Sequence, residues 1–439
     1  MSLQFVLGAS GCGKTHLIYQ TMIEWSIKEP DRSFFLIVPE QFTMQAQKDI
    51  VTLHPNHGVM NLDIVSFERL AYRIFEELSI HQPMVLDDMG KSMVLRRVSA
   101  NVKKNLGLYA GKLDKSGFIG QLKSMISELY QYGITPDALH ELSGVIEGQP
   151  LFHQKLHDLE VIYREFQNYI QGNFITSEEI LDVLCRVLLR SECLKNSVIA
   201  LDGFTGFTPI QYRLMEEFLQ MADRVLVTVT IDNREDLFES ANEEDLFYMS
   251  HRMIGRLGKL AEKNHIKIEK TIRFPENPSI RFQKSPALAH LERNILRYPI
   301  RSMKKEQEEI HLLKALNPQE EIAAAAKEIT RLVEKDGYRY QDIAVVCGDL
   351  EEYEKEILRQ FAIRKIPCFL DEKKNILANP AAEVLRAALE ILNKDFTYEG
   401  MFRYFKTGFV TEDQEKLCRM ENYVIALGIR GYSRWSSVW

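Results

Sequence analysis

The sequence predicts an α/β fold with two parallel-sheet cores, the first of them interrupted by an all-helical insertion. Three observations carry this. A phosphate-loop signature, Gly8-Ala9-Ser10-Gly11-Cys12-Gly13-Lys14-Thr15, follows the apolar run Leu3-Gln4-Phe5-Val6-Leu7 and leads into residues at helical spacing. Two more strand-to-helix units are complete before residue 80. Strand-like apolar runs then vanish between about 82 and 196 and return in two separate groups.

The loop matches G-x-x-x-x-G-K-[ST] in full. Gly8, Gly11 and Gly13 accept backbone angles that turn several N–H groups toward one anion. Lys14 then reaches the β/γ-phosphates of a nucleotide such as ATP, and the Thr15 hydroxyl ligates Mg²⁺. The same loop can also hold nucleotide without turning it over. Leu17, Ile18, Thr21, Met22 and Trp25 mark the helix that follows. Phe34-Phe35-Leu36-Ile37-Val38, closed by Pro39, reads as a strand buried on both faces, and a polar helix runs from Glu40 to about Val51. Leu62-Asp63-Ile64-Val65-Ser66 gives a third strand and Phe67 to about Leu78 a third helix. In such doubly wound sheets ligands bind at the carboxyl ends of the strands.

From Gln82 to Asn196 apolar residues recur every three or four positions: Met93, Leu95 and Val98; Leu122, Met125, Ile126 and Leu129; Leu156, Leu159, Ile162, Tyr163 and Phe166; Ile180, Leu181, Leu184 and Leu188. The sheet resumes with Ser197-Val198-Ile199-Ala200-Leu201-Asp202, whose carboxylate falls where a phosphate-loop site places a metal ligand across from Thr15. Thr208-Pro209 starts a helix, and Arg224 to Thr230 is another strand. The charged stretch from Asn233 to Lys305, with Pro275, Pro278, Pro286 and Pro299, reads as helices plus a linker. A second core is expected to begin near 310–313, with strands at 343–346 and 366–370 alternating with helices through Ile322 to Val333, Ile357 to Phe361, and Asn379 to Leu392. The expected organisation is thus 1–80 with 197–275 as the nucleotide-binding core, 81–196 as the insertion, 276–305 as linker, 306–395 as the second core, and 396–439 as the start of a further domain.

Bulk properties narrow the function classes. The net charge is −7, so a nucleic-acid site must be a local groove and not a global field. Six cysteines lack metal-type spacing, which favours reduced thiols in a cytoplasmic protein over a disulfide framework. No signal peptide and no apolar run of membrane-spanning length is seen, so no membrane association is expected.

Several segments go further than architecture. Val38-Pro39-Glu40-Gln41-Phe42-Thr43, Val65-Ser66-Phe67-Glu68-Arg69-Leu70-Ala71, Leu201-Asp202-Gly203-Phe204-Thr205-Gly206-Phe207-Thr208-Pro209 and Ile366-Pro367-Cys368-Phe369-Leu370-Asp371 resemble AddB/RexB. This family comprises the B subunits of the bacterial ATP-dependent helicase–deoxyribonuclease that resects double-strand breaks. Lys155-Leu156-His157-Asp158-Leu159 and Gly337-Tyr338-Arg339-Tyr340-Gln341-Asp342-Ile343-Ala344 fit as well. The resemblance implies two RecA-like, P-loop helicase-type domains and binding of ATP with Mg²⁺. It also implies heterodimer formation with a larger A subunit that carries the motor, and contact with single- and double-stranded DNA. The family's nuclease domain and its iron–sulfur cluster are expected beyond this chain, which reads as an amino-terminal fragment whose Glu421-Asn422-Tyr423 and Gly428-Ile429-Arg430-Gly431 resemble the entrance to the next domain.

In the family the B subunit's helicase-like region scans the displaced strand for the recombination hotspot Chi. The matching residues here are Gln41, Thr43, Ser66, Phe67, Arg69, Tyr72, Phe207 and Thr208. Their chemistry suits the task, because aromatic faces stack bases while Arg, Gln and hydroxyls bind phosphate or base edges. Each aromatic taken alone is also an ordinary core residue. Two departures argue against a motor: Asp202 is followed by Gly203 where active motors carry a water-orienting Glu, and, although Arg359 or Arg364 can approach a γ-phosphate from the second core, the late motor motifs are expected beyond residue 439. The competing readings are an active UvrD-like helicase and, less favoured because it needs no second core, a metabolite phosphotransferase.

Overall fold

The computed structural model describes residues 1–80, 84–145, 149–171, 174–176, 179–232, 242–274, 280–370, 376–411 and 413–438. Gln82, Asn233, Pro275, Pro278, Asp371 and Trp439, used in the sequence reading, lie outside them. The chain divides into two compact units, Met1–Ile310 and His311–Trp439.

The first unit opens with β1 (Ser2–Gly8), α1 (Lys14–Lys28), β2 (Phe34–Ile37), α2 (Thr43–Leu53), β3 (Leu62–Val65) and α3 (Phe67–Glu77). After β4 (Met84–Leu86) come α4 (Asp88–Asn101), α5 (Ser116–Gln131), α6 (Pro136–Val145), α7 (Pro150–Ile170), β5 (Phe174–Thr176) and α8 (Ile180–Val187). Then β6 (Val198–Leu201), α9 (Pro209–Met221), β7 (Arg224–Thr230), α10 (Tyr248–Lys263), β8 (Lys267–Ile268), β9 (Ile272–Arg273) and α11 (Pro286–Asn294) close the unit. One parallel sheet of seven strands runs in the order β3-β2-β6-β7-β1-β8, with β9 also on β1. The α/β class expected from sequence is therefore present, and strands from both ends of the unit interleave in a single sheet.

Burial on both faces explains the unbroken apolar runs. Phe35, Ile37, Ile199 and Leu201 face the cluster beneath α3, α8, α9 and α10. Their neighbours Phe34, Leu36, Val198 and Ala200 face the opposite cluster with Ile18, Met22 and Ile50 of α1 and α2. Helix starts are fixed by side-chain caps: Ser66 accepts from the Arg69 N–H, and Thr208 with Gln211 forms a reciprocal capping box.

Helices α4, α5, α6 and α7 share a cluster of their own built on Leu95, Val98, Leu122, Ile126, Ile162, Tyr163 and Phe166. Three details depart from expectation. The stretch is not wholly helical, since β4 and β5 pair in parallel. Ile180, Leu184 and Leu188 of α8 and its extension join the core under the main sheet and not the helical cluster. Met93 and Met125 are exposed, because the buried stripe of α4 runs through Lys91, Val94, Leu95 and Val98 and that of α5 through Ile119, Leu122 and Ile126.

The second unit holds α12 (Pro318–Asp336), α13 (Leu350–Ile363), α14 (Pro380–Asn393), α15 (Tyr398–Phe405), α16 (Gln414–Leu427) and α17 (Tyr432–Trp435). The expected helices are in place, and Ile322, Ala326, Ile329, Ile357 and Phe361 pack together. The expected strands are not: 343–346 and 366–370 form no ladder among the described residues. A strand needs a paired neighbour as well as apolar side chains, and here Val346 is 91% and Phe369 88% exposed while Ile366 alone of that run is buried. No described helix is long and apolar enough to cross a membrane.

Candidate functional site

The phosphate loop joins the buried end of β1 to the first turn of α1. Gly11 and Gly13 hold φ of +76° and +104°, left-handed values that explain why both positions are glycine. At Gly11 a second constraint applies, since a Cβ there would stand 2.7 Å from Arg281 Cβ and Nε. Lys14 is buried and donates to the carbonyls of Gly8 at 2.8 Å and Ala9 at 2.9 Å, with Cys12 Sγ 3.9 Å away. Burial lowers its pKa from the ordinary lysine value. Cys12 and Asp202 oppose the shift, and the Arg281 guanidinium adds to it.

Arg281 is a residue that sequence reasoning missed. Its N–H donates to the Gly11 carbonyl at 3.3 Å and its Nη1 to Ser10 Oγ at 3.4 Å, so a second cation lies against the loop. Phe274, tied to β1 through a 3.0 Å bond from its N–H to the Leu7 carbonyl, backs Gly8 and Gly13. No local motif announces Arg281. The register of β9 on β1 brings its segment back over the loop.

At the end of β6, Asp202 is buried, and its Oδ1 accepts from Thr228 Oγ1 of β7 at 2.6 Å. The sheet order β6-β7-β1 sets this carboxylate close enough to Lys14 to act on its charge. Thr15 is exposed at the start of α1. No group of three or more His, Cys, Asp or Glu side chains poised for a metal exists among the described residues. Mg²⁺ at phosphate-loop sites takes one or two protein oxygens and completes its shell with phosphates and water, so a hydroxyl and one carboxylate fit it. Gly203 carries φ of +82°, a value at which a glutamate would be strained.

The residues matched to hotspot reading gather at the ends of β2, β3 and β6, yet differ in access. Gln41 and Arg69 are exposed, and Arg69 Nε donates to Glu40 Oε1 at 3.2 Å across the two strand ends. Thr43 is buried and donates to the Glu40 carbonyl at 2.9 Å, holding the turn into α2. Ser66 is buried as the cap of α3, and Thr208 caps α9. Phe67 is buried against Phe204 and Phe207 at ring distances of 5.4 and 6.3 Å. Phe207 continues this cluster to Tyr212, over which Arg256 sits at 5.0 Å. Tyr72 and Phe207 are half-buried. The apolar surface at these strand ends comes instead from Phe42, 50% exposed beside Gly203, and Met249 beside Gly206, neither of which was among the candidate contacts.

In the second unit, Arg359 pairs with Glu356 on its own helix, its Nε donating to Oε1 at 2.9 Å, while Arg364 is exposed at the end of α13.

Comparison with known proteins adds a family likeness to this geometry. A family model described as ADDB, N-terminal, matches residues 5–292. The B subunit of the ATP-dependent helicase/deoxyribonuclease of Lachnoclostridium phytofermentans is 45% identical over 442 residues, covering 100% of this chain and 38% of the relative. Proteins of the same name from Clostridium novyi and Clostridium acetobutylicum are 34% and 35% identical. They cover 100% and 99% of this chain, against 38% and 37% of their own length.

Proposed function

The chain belongs to the AddB family, and from that premise we propose that it is the nucleotide-binding, helicase-like part of the B subunit of an ATP-dependent helicase/deoxyribonuclease. In this reading it acts in double-strand break repair and recombination beside a larger A subunit, and it contacts single- and double-stranded DNA. It reads the Chi hotspot on the single strand and leaves the motor work to its partner.

The observation that carries the reading is the pairing of an intact phosphate grip with a deficient hydrolytic end. Lys14, the loop N–H groups and Arg281 offer two cations and a dipole to a triphosphate. Thr15 and Asp202 would hold Mg²⁺, which supplies charge neutralisation of the phosphates when bound. No carboxylate follows Asp202 to orient water. Nucleotide therefore braces the sheet, and the strand ends that carry Gln41, Phe42 and Arg69 meet DNA. Chi reading uses those exposed side chains, with Tyr72, Phe207 and Thr208 half-exposed behind them, while Thr43, Ser66 and Phe67 shape the surface from within.

The test uses the complete complex with its A subunit. Lys14→Ala abolishes nucleotide binding at this loop while unwinding persists. Gln41→Ala combined with Arg69→Ala reduces hotspot response and spares unwinding. Loss of unwinding in the Lys14 variant would replace this reading with that of an active motor.

A further inference from the structure

We infer that the helical part of the first unit holds a second contact for single-stranded nucleic acid, separate from the sheet and its strand ends. A cleft of about 660 Å³ opens between the loop that precedes α5, the first turns of α5, and the first half of α7. Lys112, Lys115 and Lys155 line it together with the apolar faces of Phe118, Met125 and Phe152. Among the described residues no acidic side chain lines the cleft, in a chain whose net charge is −7. Asp114, which stands between two of the lysines in sequence, is taken up by Lys103 at 3.4 Å. None of the three cleft ammonium groups has an ion-pair partner among the described residues.

The segment that leads into the cleft is tied to α7. Asp158 of α7 is fully buried and accepts from the backbone N–H groups of Gly107, Leu108 and Tyr109 at 3.0, 2.8 and 2.9 Å. Tyr109 in turn packs edge-on against Phe118 at 4.9 Å. Unpaired lysines around exposed aromatic and thioether faces match a single strand, whose phosphates follow a basic groove while its bases stack on side chains. An acidic peptide would satisfy the lysines but leave Phe152, 43% exposed, without a ring to stack on.

This inference does not rest on the strand-end reading, and its test removes that surface first. The full 439-residue chain carrying Gln41→Ala and Arg69→Ala is titrated against a fluorescent oligothymidylate of about 15 nucleotides over a range of salt concentrations. Binding persists in that background. Adding Lys112→Gln, Lys115→Gln and Lys155→Gln weakens it about tenfold at low salt and lowers the slope of log affinity against log salt by about 2. Phe152→Ala weakens it a few-fold with the slope retained. All the substituted side chains are exposed, so melting temperatures stay near that of the parent. An unchanged slope in the lysine variant, or competition by polyglutamate as strong as that by the oligonucleotide, overturns the inference.

Discussion

Thr228 gives its hydroxyl hydrogen to Oδ1 of Asp202 at 2.6 Å, so the β7 strand beside the phosphate-loop strand positions the carboxylate at the end of β6. Both groups are buried, and the pair shares one requirement. Thr228→Val leaves a buried carboxylate oxygen without its donor and costs about 1–3 kcal/mol of stability, read by denaturant unfolding. Asp202→Asn keeps an acceptor for the same hydroxyl. It is expected to unfold close to the parent while losing the Mg²⁺-dependent part of nucleotide affinity, measured by titration with and without the ion.

Lys14 gives the proposed nucleotide site a pH signature. Burial lowers its pKa below the ordinary 10.5, so the folded protein releases this proton at a pH where the unfolded chain still holds it. Stability gained from Lys14 therefore rises with pH across that window. Nucleotide affinity moves the opposite way, falling as the cation is lost. Lys14→Arg, charged throughout, flattens the alkaline decline in a fluorescent-nucleotide titration. A decline of the same size in the arginine variant would assign it to another group.

Asp158 offers the sharpest test of the helical part. Its two oxygens take three backbone N–H groups and the Gln154 amide, all within 3.1 Å. Asp158→Ala strands the buried Tyr109 N–H and three part-buried donors beside it and is expected to cost about 2–4 kcal/mol, visible as a lowered denaturation midpoint. The loop bearing Lys112 and Lys115 loosens with it, so binding of a single strand in the cleft weakens even at temperatures where the variant remains folded.

Much of the first unit was legible because each central strand is covered on both faces and so appears as an unbroken apolar run, as at Phe34–Ile37 and Val198–Leu201. The loop itself was equally plain, its glycines forced by left-handed backbone at Gly11 and Gly13. The same apolar signal misled at 343–346 and 366–370, where hydrophobicity is present but ladder pairing is not. Hydrophobic pattern reports what a segment tends to bury, not whether a neighbouring backbone stands beside it. At the site, side-chain chemistry could be read but not access. Thr43 and Ser66 had suitable hydroxyls, yet local geometry commits both to the backbone. Arg281 escaped notice for a different reason: it reaches Ser10 from far along the chain, and no short pattern encodes that return.

The interleaved strand order also governs how this protein is born. Ser2 pairs with Arg224 and Phe34 with Val198, so β1 has no sheet neighbour and β2 only one until the ribosome has added far more chain. At synthesis rates of about 5–20 residues per second, the apolar strand Leu3–Leu7 waits roughly ten to forty seconds for β7. During that interval the nascent chain carries an open sheet edge and long-range pairings that close slowly. That waiting time is set by topology, through the same arrangement that later brings Asp202 within reach of Lys14.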